Sequence, residues 1–227
     1  MHTLRYTILT LALLVFTMAG GLTSSADAAG PNPVVVMETS MGRIIMMLYP
    51  KAAPKTVENF LKYVDAGFYD KTIFHRSITM EMMKVAEPRL QPSYNIVQGG
   101  GFTAGPRPKR PLFPPIKDES EFSLKNEVGT IAMARTSDPD SATSQFFFNM
   151  TDNTGLDYVA YKRTIIVGYK DEDQDDMVRR PGYTAFGKVI RGWDTVEKIH
   201  QIETQTKGRY KNTPVKDVYI VKAYRAK

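Results

Sequence analysis

Four separated blocks of the chain carry side chains able to act on a bound ligand: Phe74-His75-Arg76; Gln98 with Gly99-Gly100-Gly101-Phe102; Ala132-Met133-Ala134-Arg135 with Ser144-Gln145-Phe146-Phe147; and Phe186-Gly187-Lys188-Val189. Together they supply one guanidinium, two side-chain amides and an apolar wall. A guanidinium is a fork of permanently charged donors, and a glutamine amide both donates and accepts. Gln98 and Gln145 can therefore hold a peptide backbone or orient Arg76 without adding charge. The glycine run permits a tight turn and close approach, although glycines mark ordinary turns far more often than sites.

In this order, with a helix-like segment before the first block and another after the last, the blocks resemble the cyclophilin family of peptidyl-prolyl cis-trans isomerases. The resemblance covers most of the chain after about Pro33. It implies a mainly β fold, a closed eight-stranded antiparallel barrel capped by two helices, with the active groove on the outer face of the sheet. Rotating an X-Pro bond breaks amide resonance and takes roughly tens to hundreds of seconds uncatalysed. Reaching milliseconds requires on the order of 10⁴-fold acceleration, or about 5–6 kcal/mol. In the twisted amide the proline nitrogen gains a lone pair, and a guanidinium aimed at it stabilises charge present only near the transition state. The resemblance assigns that role to Arg76. A hydrogen bond to a charged group is worth about 1.5–3 kcal/mol, so desolvation and positioning must supply the rest. Gln98 is placed beside Arg76 as a catalytic residue. Ile96, Ala134, Arg135, Gln145, Phe147, Leu156 and Tyr183 are placed as substrate-binding, Ala134 and the Arg135 backbone forming the strand that pairs with the peptide. Neither metal nor cofactor is implied.

Two departures from the family pattern fall in the pocket. Counting back from Gln98, the pocket phenylalanine position is Asn95, with Tyr94 adjacent; a bulge could turn Tyr94 inward. The aromatic that commonly precedes the leucine is Gly155, and members with tryptophan there bind cyclosporin well, so weak binding is expected here. Tyr183 stands where many members carry histidine. Strand alternation sends His75 to the face opposite Arg76, in a hydrogen-bonding structural role rather than as a general base. His2 and His200 are far apart in sequence and do not suggest a histidine-based metal site. Asp171, Asp173 and Asp175 imitate half an EF-hand loop, but Asp176 and Gly182 occupy its glycine and glutamate positions. An acidic surface loop is the reading that remains.

Positioning these groups requires a scaffold, and strand-like runs dominate. Residues 34–37 and 43–49 flank the turn Thr39-Ser40-Met41-Gly42 and form an opening hairpin. Pro54 starts a helix whose Val57, Phe60, Leu61 and Val64 fall on one face until Gly67 stops it. Further strands are expected at 72–77, 94–98, 129–134, 145–150, 185–189 and 219–223. A second helix is signalled by Asp194 and Glu197 at capping-box spacing, with Val196 and Ile199 inward. Alternation puts Phe146 and Phe148 in the core and Phe147 on the groove. Segments 79–93, rich in methionine, and 157–180, acidic, read as inserted loops flanking the groove. The basic stretch Arg107, Lys109 and Arg110, interleaved with Pro106, Pro108 and Pro111, reads as a stiff solvated loop.

Residues 1–28 have the layout of a secretory signal: basic Arg5, an apolar stretch over 8–18, and Ala26-Asp27-Ala28 as a small-x-small cleavage site. The expectation is removal after Ala28, leaving residues 29–227 as one domain of about 200 residues. The chain contains no cysteine, so no disulfide can form and the exported fold must rest on its core. A net charge of +6 favours weak attraction to anionic surfaces, not a specific nucleic-acid site. The expected protein is a periplasmic monomer, without a membrane span, acting on proline-containing segments of unfolded or partly folded exported proteins. The alternative is a non-enzymatic peptide-binding chaperone or assembly subunit on the same fold.

Overall fold

In the computed structural model, residues 31–79, 94–165 and 174–226 are described, and all of them belong to one unit, Pro31–Lys227. The chain opens with β1 (Val34–Thr39) and β2 (Gly42–Leu48), paired antiparallel from Val34↔Met47 to Thr39↔Gly42. There follow α1 (Pro54–Asp65), β3 (Thr72–Ile78), β4 (Ile96–Thr103), β5 (Arg107–Pro108), β6 (Thr130–Met133) and β7 (Phe146–Asn149). The second half contains β8 (Val159–Ile165), β9 (Gln174–Arg180), β10 (Ala185–Arg191), α2 (Trp193–His200), β11 (Thr204–Lys207), β12 (Tyr210–Pro214) and β13 (Val218–Arg225).

Eight strands form a ring in the order β3-β13-β1-β2-β10-β6-β7-β4, and β4 pairs back onto β3 to close it. Every pairing is antiparallel, and closure leaves no exposed edge in the ring. The interior is packed by Met37, Ile44, Met46, Leu48, Phe74, Phe146, Phe148 and Phe186, all essentially inaccessible. Phe60 of α1 plugs one end, its ring 5.2 Å from Tyr69, 5.7 Å from Phe146 and 5.1 Å from Phe186. Val57, Leu61 and Val64 bury the rest of that helical face, as the spacing predicts.

The helix starts are built differently from the local pattern. At α1 the cap residue Ala53 offers no side chain; the Glu119 carboxylate accepts from the backbone N–H of Lys55 (3.1 Å) and Thr56 (2.9 Å) instead. At α2 the expected capping box does not form, because Gly192 is the cap and Asp194 lies inside the first turn, where it pairs with Lys198 at 3.0 Å. Val196 and Ile199 are buried as expected.

Three more expectations are corrected. Segment 157–180 is not a plain loop: β8 and β9 form a hairpin in unbroken register from Val159↔Arg180 to Ile165↔Gln174. Val159, Tyr161 and Val178 are strand formers, outweighed in the sequence by the acidic run over 171–176, which extends into the start of β9. A second hairpin, β11–β12, was not anticipated because its strands are short and polar. Within the basic proline stretch, Arg107 and Pro108 form β5, pairing with Thr103 and Phe102 on the outside of the ring. The methionine-rich stretch 80–93 lies outside the described residues, as do Asp171 and Asp173. Among the described residues no group of three or more His, Asp or Glu could hold a metal, and no helix is long and apolar enough to cross a membrane.

Candidate active site

Strand register puts the central groups in one row. Arg76 of β3 pairs with Gln98 of β4, Gln98 with Phe147 of β7, and Phe147 with Ala132 of β6. Paired residues share a face of the sheet, so these four side chains stand together. The neighbours Phe146 and Phe148 point into the barrel core. Phe147 joins a separate apolar cluster with Ile78, Ile96, Ala132, Leu156 and Ala185, flanked by Tyr94, Ala134 and Tyr183.

From that cluster Ile96, Phe147 and Leu156, with the flanking Tyr94, Ala134 and Tyr183, wall a cavity of about 90 Å³ that Arg76, Gln98 and Arg135 also line. The Phe147 ring is 2 % exposed, and the Tyr183 ring meets it nearly edge-on at 5.6 Å. The structure thus brings Arg76, Ile96, Gln98, Ala134, Arg135, Phe147, Leu156 and Tyr183 around one notch. Gln145 lies beside it, its Oε1 accepting from Nε2 of Gln98 at 3.0 Å. Gly101 makes room for that amide, because a Cβ there would come within 2.3 Å of Gln145 Cγ.

The open choice between Tyr94 and Asn95 falls to Tyr94. Its ring lines the notch, and its hydroxyl accepts from Nη2 of Arg76 at 3.4 Å. Asn95 is held behind by Asn153, whose amide accepts from the Asn95 N–H and donates to its carbonyl, both at 3.0 Å.

His75 departs from the alternation argument. Between Phe74↔Gly99 and Arg76↔Gln98 the β3 strand advances two residues while β4 advances one, which is a β-bulge. The bulge leaves His75 beside Arg76 rather than opposite it, and both line a second cavity. No hydrogen bond of good geometry satisfies its Nδ1; the ring stacks on Phe102 at 4.2 Å. Burial, with the Arg76 guanidinium adding to it, lowers the His75 pKa to about 3, so the ring is neutral at physiological pH.

Sequence reasoning missed the groups that hold the notch in shape. Nδ2 of Asn126 donates to the carbonyls of Leu156 (3.2 Å) and Tyr183 (3.0 Å), tying two walls together. Asn149 donates to Asn126, and Asn153 to Asn149, so a buried amide chain runs behind the site. The available signal was asparagine at the end of an apolar strand, where a β-disfavoured residue needs a reason. Arg135 contributes a side chain that the sequence reading left unused. Its Nε donates to the Gly182 carbonyl at 2.9 Å, Nη2 to the Pro181 carbonyl at 3.0 Å, and the guanidinium lies 4.5 Å over the Tyr183 ring.

A closed barrel with a ring-sized apolar notch on its outer face, rimmed by a guanidinium and an amide, defines a β-barrel enzyme that works on the outside of its sheet. Residues 34–225 match the family described as cyclophilin type peptidyl-prolyl cis-trans isomerase, and the chain belongs to that family as a peptidyl-prolyl cis-trans isomerase. It is 39% identical over 213 residues to peptidyl-prolyl cis-trans isomerase A of Dickeya dadantii (strain 3937), covering 94% of this chain and 95% of that one. Peptidyl-prolyl cis-trans isomerase B of Escherichia coli (strain K12) is 37% identical over 187 residues, 82% of this chain and 96% of the relative. The crystal structure of a Cryptosporidium parvum cyclophilin-type isomerase superposes with a TM-score of 0.60 at 21% identity, covering 86% of this chain and 98% of that one, which shows the shared fold.

Proposed function

We propose that the protein catalyses X-Pro bond rotation in other exported chains as a periplasmic folding enzyme, with Arg76 as the principal transition-state stabiliser. The observation that carries this reading is the row Arg76↔Gln98↔Phe147, which sets a charged donor beside an apolar notch. A proline ring enters the notch against Phe147, between Ile96, Leu156 and Tyr183. The Arg76 guanidinium then faces the proline nitrogen as its lone pair forms, and its charge is available at every relevant pH because guanidinium does not deprotonate in proteins. Gln98 and Gln145, already joined, hold the flanking backbone and keep the guanidinium in place. The Ala134 N–H is taken by the Gln145 carbonyl at 2.9 Å, which leaves the Ala134 carbonyl and the Arg135 backbone to pair with an extended peptide.

Arg76→Ala is expected to lower kcat/KM for an Ala-Pro tetrapeptide by about 10- to 100-fold, the equivalent of one charged hydrogen bond. Circular dichroism should show the barrel intact. Undiminished turnover in that variant would sink the assignment of Arg76. Export is supported by the basic, apolar and small-x-small order of residues 1–28. Expressed in a Gram-negative host, the mature protein should be released with the periplasmic fraction and begin at Ala29 on N-terminal sequencing; an intact Met1 in the cytoplasmic fraction would refute export.

A further inference from the structure

A second cavity, of about 380 Å³, adjoins the notch and shares Arg76 and Gln98 with it. Its far side is built by the β11–β12 hairpin, which brings Arg209, Tyr210 and Lys211 to the rim. The hairpin is docked by an aromatic ladder: the His75 ring stacks on Phe102 at 4.2 Å, and the Phe102 ring meets Tyr210 edge-on at 5.1 Å. Arg209 is placed by the same tyrosine, its Nη2 donating to the Tyr210 hydroxyl at 3.0 Å and its guanidinium 5.2 Å from the ring centre.

The charge around this cavity is one-sided. Three cations, Arg76, Arg209 and Lys211, line it together with amides and rings, and no carboxylate does. Among the described residues none of the three makes an ion pair with an Asp or Glu. The neutral His75 ring adds nothing to the charge at physiological pH, so the potential comes from the two guanidiniums and the lysine. A concave wall of one sign focuses field into its opening and attracts the opposite sign. An extended peptide advances about 3.3 Å per residue, so a segment seated in the notch carries a neighbouring side chain into the adjoining cavity within about three residues of the proline.

We propose that this cavity is a specificity subsite for an acidic side chain, aspartate or glutamate, flanking the proline of the client. The proposal rests on the isomerase reading and adds a preference to it. Arg209 and Lys211 are exposed and act through partly screened charge, so the preference should be moderate, on the order of three- to tenfold at low salt.

The experiment compares Ala-Pro peptides carrying Asp or the uncharged isostere Asn at each position up to three residues on either side of the proline. Both isomerisation, as kcat/KM, and binding, by calorimetry, are measured for the wild type and for the Arg209→Ala/Lys211→Ala double variant. The expected result is an Asp-over-Asn preference at one position, shrinking as salt rises, nearly abolished in the double variant, with rates on the Asn peptides unchanged. Equal rates and affinities for Asp and Asn peptides at every position would overturn the subsite while leaving the isomerase intact. A preference that survives the double substitution would also overturn it. Loss of isomerisation on all peptides would instead indict the catalytic reading, and the calorimetric Asp-over-Asn difference would still decide whether the cavity takes an acidic side chain.

Discussion

Arg76 can work only if its guanidinium stays over the notch, and three neighbours hold it there without neutralising it. The Tyr94 hydroxyl accepts from it, Gln98 stands opposite in register, and Gln145 braces Gln98. None of these is a carboxylate, so the charge is left free for the role proposed for it at the proline nitrogen. The same scale decides inhibitor binding. Gly155, in the tight turn Thr154–Leu156, offers no ring beside Leu156, where the resemblance to cyclophilins would place an aromatic that packs on cyclosporin. Losing such a buried aromatic contact typically removes about 2 kcal/mol or more from an interface. Calorimetric titration should therefore give a cyclosporin dissociation constant above about 1 μM, the equivalent of about −8 kcal/mol; a sub-micromolar value would show that another group has taken over the contact. Residues in regular strands, such as Phe147 among its two core neighbours, were legible from alternation alone. His75 and Tyr94 were not, because the face of each depends on geometry that alternation does not encode: a bulge beside Arg76, and for Tyr94 a position just ahead of the regular strand β4.

Elements were legible where their signal is local. The β1–β2 hairpin and α1 follow from two-residue and 3.6-residue periodicity with turn and proline punctuation. What the local pattern misses is supplied from far along the chain. Glu119 caps α1 from more than 60 residues away, and Asn126, Asn149 and Asn153 link loops to strands behind the notch. The β8–β9 hairpin shows the same dependence at its base, where the returning chain crosses so closely that a Cβ at Gly182 would lie 2.4 Å from the Tyr158 backbone nitrogen. Arg135 then clamps the carbonyls of Pro181 and Gly182 and covers Tyr183. The insertion that the sequence places beside the groove is thus tied to the site through one wall residue. Loop and pocket are mechanically one unit at that point.

At the scale of the whole molecule, the site and the stability of the barrel are linked through His75. An imidazole in an unfolded chain titrates near 6.5, whereas burial in the fold lowers this one to about 3. Between those two values the unfolded state binds a proton that the folded state refuses, so stability falls as pH drops from about 6.5 towards 3 and is unaffected by this group above about 6.5. At pH 4.5 the group should cost roughly 2–3 kcal/mol relative to pH 7.5, since each pH unit in the window contributes about 1.4 kcal/mol. The barrel has no disulfide to offset such a loss. Urea denaturation of wild type and His75→Phe at both pH values isolates the effect. The phenylalanine variant should lose about 2–3 kcal/mol less on acidification than the wild type does, whatever its stability at pH 7.5, because carboxylate protonation is common to both proteins. Identical losses would mean that His75 is protonated in the folded state at pH 4.5, and that its cavity admits enough water or anion to solvate the charge beside Arg76.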